Sequence, residues 1–342
     1  MRKPCGAVTD GFRGWEALFF LCSTFPPLYI ARMHRREFLR SAGTLVAASV
    51  LPLSAPAPEK PRIAVTMDDP STTLGPNIAW REANRNILDT LEKWSLKTAL
   101  FACGMRVDSA QGKDLLGQWD DAGHLICNHS YSHFNLNSAK TTYDDFVADF
   151  ERNEPLIKSY RRFTRLFRYP FLKEGDTTEK RDQFRALLKH RGYAVGHVTI
   201  DASDWYVDER MNARLEKQPA VSTEPYGDYL VAHLLDRAAF YRQLALDVLG
   251  HEIPHTLLLH HRMINALYLE DVISAFSDKG WQWIDARRAF DDSVFKRQPQ
   301  TLPAGESLVW ALAKETGRFD DRLRYPGEDD SYEKPKMDAL GL

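Results

Sequence analysis

The sequence predicts a mixed α/β fold, a distorted (β/α)7-type barrel that forms one domain, and three observations favour it. Short continuous apolar runs, such as Ile63-Ala64-Val65, are typical of strands buried on both faces of a parallel sheet. These runs alternate with stretches of helical periodicity, several of which end at a glycine. Polar motifs follow many different strands, which favours a closed or nearly closed barrel over an open sheet with one switch point.

The individual elements follow from these two patterns in chain order. The first strand covers 60–67, and the first helix, 81–94, places Ile87, Leu88 and Leu91 on one face. The stretch between 200 and 227 is acidic and basic, and no element is predicted there. The other predicted strands are 98–103, 124–128, 166–168, 195–200, 256–260 and 281–284, and the other predicted helices are 114–121, 143–160, 179–191, 227–249 and 265–279.

Composition and length indicate an ordinary globular enzyme. The 342 residues are enough for one large or two ordinary domains, and 44% are hydrophobic and 27% charged. The net charge of -2 gives no reason to expect a nucleic-acid partner. We expect a signal segment at 1–57, the barrel domain at 58–290 and a charged, Pro-rich C-terminal extension at 291–342.

The N-terminus is predicted to be a targeting segment. Residues 35–39 form a twin-arginine pattern, and the apolar stretch 42–53 that follows is too short for a stable membrane span. Small residues up to Ala57 predict cleavage after that position. Met33 lies just before the two arginines, so 1–32 is either an upstream mis-start or an unusually long n-region of the signal. The expected location is the periplasm or the extracellular space.

Four cysteines are present, and two of them, Cys5 and Cys22, fall in the predicted signal segment. Cys103 and Cys127 lie near the ends of two neighbouring predicted strands. They are compatible with one disulfide in an oxidising compartment and equally with two buried free thiols. The chain has no cysteine cluster that would predict a thiolate metal site.

Two pairs of side chains have the composition of a possible metal site. Asp68 and Asp69 end the first predicted strand, and adjacent residues of an extended chain point apart, so that one can face a metal and the other a reacting water. The alternative is an ordinary polar turn. His129 and His133 are four residues apart, which places both rings on one side of a helix or a tight turn. Two imidazoles and a carboxylate commonly bind zinc or another divalent ion.

Three further segments supply charged groups after strands. Arg168 can pair with a carboxylate and keep it ionised, or form a surface salt bridge. Asp204-Trp205 offers a carboxylate beside a flat wall, or else a helix N-cap followed by a core Trp. His260 follows three leucines, and alone it is compatible with a core histidine.

Together these motifs resemble the polysaccharide deacetylase family, also called carbohydrate esterase family 4 or the NodB-homology domain, over roughly 61–289. The resemblance implies a NodB-like barrel with fewer than eight full units and removal of acetyl groups from N- or O-acetylated sugars with a divalent ion. Zinc is the first expectation, and cobalt, nickel or manganese are alternatives. The implied roles are general base for Asp68, metal ligands for Asp69, His129 and His133, orientation of the base for Arg168, oxyanion contact through the backbone N–H of Phe171, tuning of the acid for Asp204, pocket wall for Trp205 and general acid for His260.

Four positions depart from the usual motifs of that family. Met67 stands where Phe is usual, Pro70 where Gly is usual, Phe171 where Tyr is usual and His261 where Asp is frequent. None removes a predicted metal or acid–base position, so we expect an active deacetylase of a cell-envelope or environmental glycan such as peptidoglycan or a chitin-like polymer. The alternatives are a hydrolase of non-sugar amides on the same fold and a non-catalytic glycan-binding protein.

Overall fold

A curled parallel sheet of seven strands forms the centre of the fold, with its main strands in the order β6-β4-β3-β2-β1-β7 and β8 paired with the beginning of β1. The computed structural model describes residues 59–324 and 330–342. The predicted signal segment, with its twin arginines, Met33, Ala57 and the first two cysteines, lies outside the described residues. The strands are β1 Arg62–Asp68, β2 Ala99–Ala102, β3 Leu125–Asn128, β4 Phe163–Phe167, β5 Lys173–Gly175, β6 Ala194–Val195, β7 Pro254–His260, β8 Gln282–Trp283 and β9 Ala304–Gly305.

Helices connect the strands and cover the sheet. Helix α1 buries Ala83, Ile87 and Leu91, which follow the helical period, and α4 begins with a capping box at Thr142. In the part of the chain that is described, no helix is both long and apolar enough to cross a membrane. The helices are α1 Trp80–Lys93, α2 Gly104–Val107, α3 Ala110–Asp121, α4 Tyr143–Ile157, α5 Thr178–His190, α6 Asp204–Lys217, α7 Glu224–Leu249, α8 Met263–Asp278, α9 Ala286–Phe290, α10 Leu308–Thr316 and α11 Glu333–Leu340.

The register of the central strands decides where their last residues lie. Strands β1 and β7 are both almost fully buried and pair in parallel from Arg62 opposite Pro254 to Asp68 opposite His260. On the other side, Asp68 lies opposite Phe101 of β2. The carboxyl ends of parallel strands meet at one edge of a sheet, so the polar residues that follow them are brought together there.

The predicted α/β class and the parallel, curled barrel are confirmed, but the strand predicted at 195–200 is wrong. β6 ends at Val195, and the chain then pairs with β7 at a bridge between Ile200 and Leu257. Side-chain hydroxyls add to the main-chain bonds here, because Thr256 Oγ1 accepts from the N–H of Thr199 and Thr199 Oγ1 accepts from the N–H of Thr256. Apolar composition alone could not show this local pairing.

Sequence periodicity also missed helix α6, which lies inside the stretch described above only as acidic and basic. Its apolar positions Val207, Met211 and Leu215 recur at helical spacing and are buried. They are separated by charged side chains that cover the outer face, so the apolar stripe is narrow. This helix matters for the site because it begins at Asp204.

The C-terminal 50 residues contain short elements that the sequence did not predict. Strand β9 pairs in antiparallel fashion with β5, and α10 packs against α7. Helix α11 buries Glu333 and Met337. The boundary at 290 between barrel domain and extension stays a prediction.

Cys103 and Cys127 are free thiols, and both side chains are buried. Burial raises the pKa of Cys103 to about 12, and it raises the pKa of Cys127 as well. Of the two alternatives left open by the sequence, the structure shows the pair of buried thiols. The conditions that create a reactive thiolate are absent at these two positions.

Candidate active site

Most of the predicted site residues lie at the carboxyl ends of the parallel strands or within a few residues of them. Asp68 is the last residue of β1, His129 directly follows β3, Arg168 directly follows β4, and His260 is the last residue of β7. Asp204 reaches the same edge as the first residue of α6. The structure therefore brings together five segments that are far apart in the sequence.

Asp69, His129 and His133 form a group that could hold a metal ion, because each offers a ligand atom and these atoms all lie within 4.8 Å of one another. His129 Nδ1 lies 2.8 Å from the main-chain oxygen of Arg168. A carbonyl oxygen only accepts, so this Nδ1 carries the proton and Nε2 keeps its lone pair. The arrangement is the one that a metal-binding imidazole requires.

The protonation states of these residues suit a divalent cation. Burial lowers the pKa of His129 and of His133 to about 4, so both rings are neutral at neutral pH. Burial alone would raise the pKa of Asp69, but His133, His129 and Arg106 outweigh it and lower that pKa to about 2. Asp69 Oδ1 is buried and accepts no hydrogen bond, although Arg106 Nε lies 3.1 Å away. One carboxylate and two neutral imidazoles match the donors that zinc prefers.

Three segments of the site, which carry Asp69, the two histidines and Phe171, adopt backbone conformations that residues other than glycine rarely take. The φ angles of Asp69, Ser130, His133 and Phe171 are 57°, 60°, 59° and 56°. Residues other than glycine visit this left-handed region at a cost of roughly 1–3 kcal/mol each, and such residues cluster at functional sites. The spacing of His129 and His133 is thus realised in a strained loop rather than in a helix.

Polar side chains of helix α4 hold the histidine loop in this shape. Asp149 accepts hydrogen bonds from the N–H of Ser132 at 2.9 Å and from the N–H of Tyr131 at 3.2 Å. Asn153 donates to Asn128 Oδ1, which in turn accepts from the N–H of Ser130. The sequence analysis missed Asp149 and Asn153. The available signal was that two polar residues interrupt the buried face of α4.

Asp68 and Arg168 form a buried pair beside this group. Arg168 Nη1 donates to Asp68 Oδ1 at 2.6 Å, and Arg168 Nε donates to the main-chain oxygen of Gly196 at 2.8 Å. The guanidinium also lies over the ring of Phe101, 3.9 Å from its centroid. Burial raises the pKa of Asp68 to about 6, and Arg168 limits the rise. Asp68 Oδ2 lies 3.6 Å from His129 Nε2, so this carboxylate borders the candidate metal group.

His260 and Asp204 form a second buried pair. His260 Nδ1 lies 2.8 Å from Asp204 Oδ1, and the N–H of His260 donates to Asp204 Oδ2 at 2.7 Å. Asn265 Nδ2 donates both to Asp204 Oδ2 and to the main-chain oxygen of His260. Asp204 Oδ1 accepts a hydrogen bond from His260 Nδ1 and so fixes the orientation of the ring. Asn265 was not singled out in the sequence, where one polar residue on the apolar face of α8 was its only signal.

Phe171 lies beside the histidine loop, and Trp205 directly follows Asp204 in helix α6. Phe171 sits in the turn Pro170–Leu172, and its ring centroid is 4.5 Å from that of His133. Trp205 is half-buried, and its Nε1 is buried without a hydrogen-bond partner. Their predicted roles as oxyanion contact and pocket wall stay predictions.

The fold is a barrel, and its site contains three groups. They are the possible metal ligands Asp69, His129 and His133, the pair of Asp68 with Arg168, and the pair of His260 with Asp204. Residues 55–194 match the family model described as polysaccharide deacetylase. The match covers the first three of the five motifs, and over this segment it confirms the predicted resemblance to that family. A curated peptidoglycan-N-acetylglucosamine deacetylase of Bacillus cereus is 25% identical over 147 residues, 43% of this chain and 47% of that protein. The chain thus spans about half the length of this curated relative.

Two solved structures are among the similar ones. A polysaccharide deacetylase of Bacillus cereus is 19% identical with a TM-score of 0.48, over 66% of this chain and 92% of that chain. A family 4 carbohydrate esterase pseudoenzyme of Bacillus anthracis is 18% identical with a TM-score of 0.47, over 69% of this chain and 67% of that chain. At these identities and scores, the two structures show what the chain resembles and say nothing of its activity.

Proposed function

We propose that this protein is a metal-dependent hydrolase that removes acetyl groups from a glycan, with N-acetylated sugars of peptidoglycan as the first substrates to test. The observation that carries the proposal is the meeting of Asp69, His129 and His133 with Asp68 and His260 at one edge of the sheet. The family match over residues 55–194 and the activity in the name of the curated relative support it. A chitin-like polymer or an O-acetylated glycan is the next class to test.

Asp69, His129 and His133 would hold the cation, with zinc first and cobalt, nickel or manganese as alternatives. When bound, such an ion acts as a Lewis acid that polarises a carbonyl and lowers the pKa of a water molecule. The neutral state of both rings means that no proton has to leave them before binding. We propose Phe171 and Trp205 as substrate contacts at the edges of this group.

Asp68 is our candidate for the general base. Its pKa of about 6 leaves it ionised at neutral pH, yet basic enough to accept a proton from an attacking water. Arg168 fixes Asp68 Oδ1 by a 2.6 Å hydrogen bond, so Oδ2 is the oxygen left to receive that proton. A general base needs one oxygen that fixes its orientation and another that accepts the proton, and Asp68 offers both.

His260 is our candidate for the acid that protonates the leaving group. Asp204 accepts a hydrogen bond from His260 Nδ1, so the Nδ1 proton is held in place. The proton that His260 can donate, to the nitrogen of a leaving amine or the oxygen of a leaving alcohol, is therefore the one on Nε2. The carboxylate also stabilises the imidazolium form that exists before this transfer. The proton taken by Asp68 and the one given by His260 together balance the hydrolysis of one acetyl group.

Acetate release from metal-loaded protein tests the proposal. The panel contains peptidoglycan, chitin oligomers, poly-N-acetylglucosamine and acetylated xylan. We expect release that stops with a chelator and falls about 100-fold or more in Asp68→Asn, while Asp89→Asn, the same change at an exposed position of α1, retains full activity. Absence of acetate from every substrate, with folded and metal-loaded protein, would refute it. Binding without turnover would instead indicate a glycan-binding protein, and turnover of a non-sugar amide alone would indicate the other alternative.

We also propose that the protein is exported through its twin-arginine segment to the periplasm or the extracellular space. The basis is the sequence pattern at 35–39 and the small residues before 58. The test compares the cell fractions of the full chain with those of the double variant Arg35→Lys and Arg36→Lys. Equal amounts of processed protein outside the cytoplasm in both strains would contradict the proposal.

A further inference from the structure

Helix α11 buries a carboxylate, Glu333, against helix α7. The Glu333 side chain has no exposed surface, and its Oε1 accepts a hydrogen bond from Arg237 Nη2. The same oxygen lies 3.5 Å from His233 Nδ1. His233 and Arg237 are one helical turn apart on α7, so both face Glu333. A buried charge is costly unless it is paired, and this pairing fixes α11 in one position on α7.

His233 links Glu333 to Ser203, the residue before helix α6. The N–H of Ser203 donates to His233 Nε2 at 3.0 Å. An N–H only donates, so Nε2 is unprotonated and the proton of the neutral ring is on Nδ1, which faces Glu333. Burial and the nearby Arg237 hold the pKa of His233 well below its usual value, which keeps the ring neutral. Glu333 therefore favours the tautomer that can accept from Ser203.

Ser203 is the N-cap of α6, and the next residue is Asp204, the partner of His260. The position of the first turn of α6 consequently decides where the Asp204 carboxylate lies. Helix α11 contacts α6 at a second place as well. Arg210 Nη1 donates to Asp338 at 2.7 Å, and Arg210 Nη2 donates to the main-chain oxygen of Leu342.

We propose that Glu333 and His233 are positioning residues for the Asp204–His260 pair, so that the C-terminal helix α11 keeps the proton donor in its working orientation. Neither residue touches the metal group or the substrate. Their effect passes through the N–H of Ser203 and the first turn of α6. The kinetic consequence of this inference rests on the proposed function, whereas the structural coupling does not.

Kinetics and metal affinity of the processed, metal-loaded protein separate positioning from general stabilisation. In Glu333→Ala and His233→Leu, we expect kcat to fall roughly 2- to 30-fold, with KM and the Kd of the metal unchanged. His233→Gln should restore most of kcat, because its amide oxygen can accept from Ser203. Lys334→Ala, an exposed change on the same helix, is the matched control and should behave as the wild type. Parallel losses of Tm, metal affinity and kcat would overturn the positioning role.

A substrate-free measurement keeps this test independent of the deacetylase proposal. In protein with 15N-labelled histidines, the Nδ1 proton of His260 is identified by its loss in His260→Gln. We expect this resonance to shift and to exchange faster with water in Glu333→Ala and His233→Leu, and to stay unchanged in Lys334→Ala. If Glu333→Ala does not fold, Glu333→Gln, which keeps the acceptor oxygen and removes the charge, takes its place. An unchanged resonance in the folded variants would refute the coupling. Acetate release absent from every protein, with a shifted resonance, would refute only the proposed function.

Discussion

Asp149→Ala should weaken metal binding although Asp149 is not one of the proposed ligands. Its carboxylate accepts from the N–H groups of Tyr131 and Ser132 and so holds the strained loop between His129 and His133. Changes in residues that orient metal ligands typically cost 10- to 100-fold in metal affinity. We expect a loss in this range for zinc, equal to about 1.4–2.8 kcal/mol of binding free energy.

The same change should also lower the free energy of unfolding of the metal-free protein. Each buried N–H that loses its acceptor costs about 1–3 kcal/mol. Tyr131 and Ser132 are half-buried, and water can reach the freed groups, so we expect a total loss of roughly 1–3 kcal/mol rather than twice that value. The relaxed loop no longer presents both imidazoles to one ion, which is why affinity and stability fall together.

Competition with a metal-binding dye measures the affinity, and urea unfolding of chelated protein measures the stability. Asp149→Asn keeps one acceptor oxygen and should lie between the wild type and Asp149→Ala. Asp144→Ala, an exposed change in the first turn of the same helix, is the control and should leave the affinity unchanged. If Asp149→Ala binds zinc as tightly as the wild type, the loop does not depend on this carboxylate and the reasoning fails.

Three further predictions test the metal group, the sheet and a buried carboxyl group. Zinc at 100 times its Kd should add about 2.7 kcal/mol to the stability and raise Tm by roughly 5–10 °C, and a thermal scan should show no such rise in His133→Asn. Gly196→Ala should destabilise the fold by about 1–3 kcal/mol in urea unfolding, because a Cβ at this position would clash with the ring of Phe101; a wild-type midpoint would contradict the packing. Burial raises the pKa of Asp208 to about 6 from 3.8, so the folded state favours the protonated form and stability falls as pH rises from about 4 to about 6. Asp208→Asn should therefore gain stability relative to the wild type between pH 4 and 7.5, on the order of 2–3 kcal/mol, and a pH-independent difference would contradict this.

The sequence predicted the strand ends that carry the site, because buried parallel strands and polar strand ends leave strong local signals. Asp68 and His260 were both placed at the ends of apolar runs, and the structure shows them opposite each other. The sequence could not predict that β1 and β7 are neighbours in the sheet, because most of the chain lies between them. Periodicity describes single elements and not the order of strands in a sheet.

The residues that hold the site in place were harder to predict than the residues that form it. Asp149 and Asn265 each interrupt an apolar helix face, and a single polar residue on such a face does not reveal its partner. Helix α6 was missed because charged side chains hide a narrow apolar stripe. The pairing of Glu333 with His233 joins residues about a hundred positions apart, and the sequence between them gives no sign of it.

Arg168 forms hydrogen bonds to two groups of the site at once. Its guanidinium donates to the Asp68 carboxylate, and its own main-chain oxygen accepts from His129 Nδ1. One residue after β4 therefore links the end of β1 to the loop after β3, and both contacts depend on where the chain places position 168. A substitution at position 168 would cut the first attachment and leave the second, since every amino acid retains a backbone oxygen.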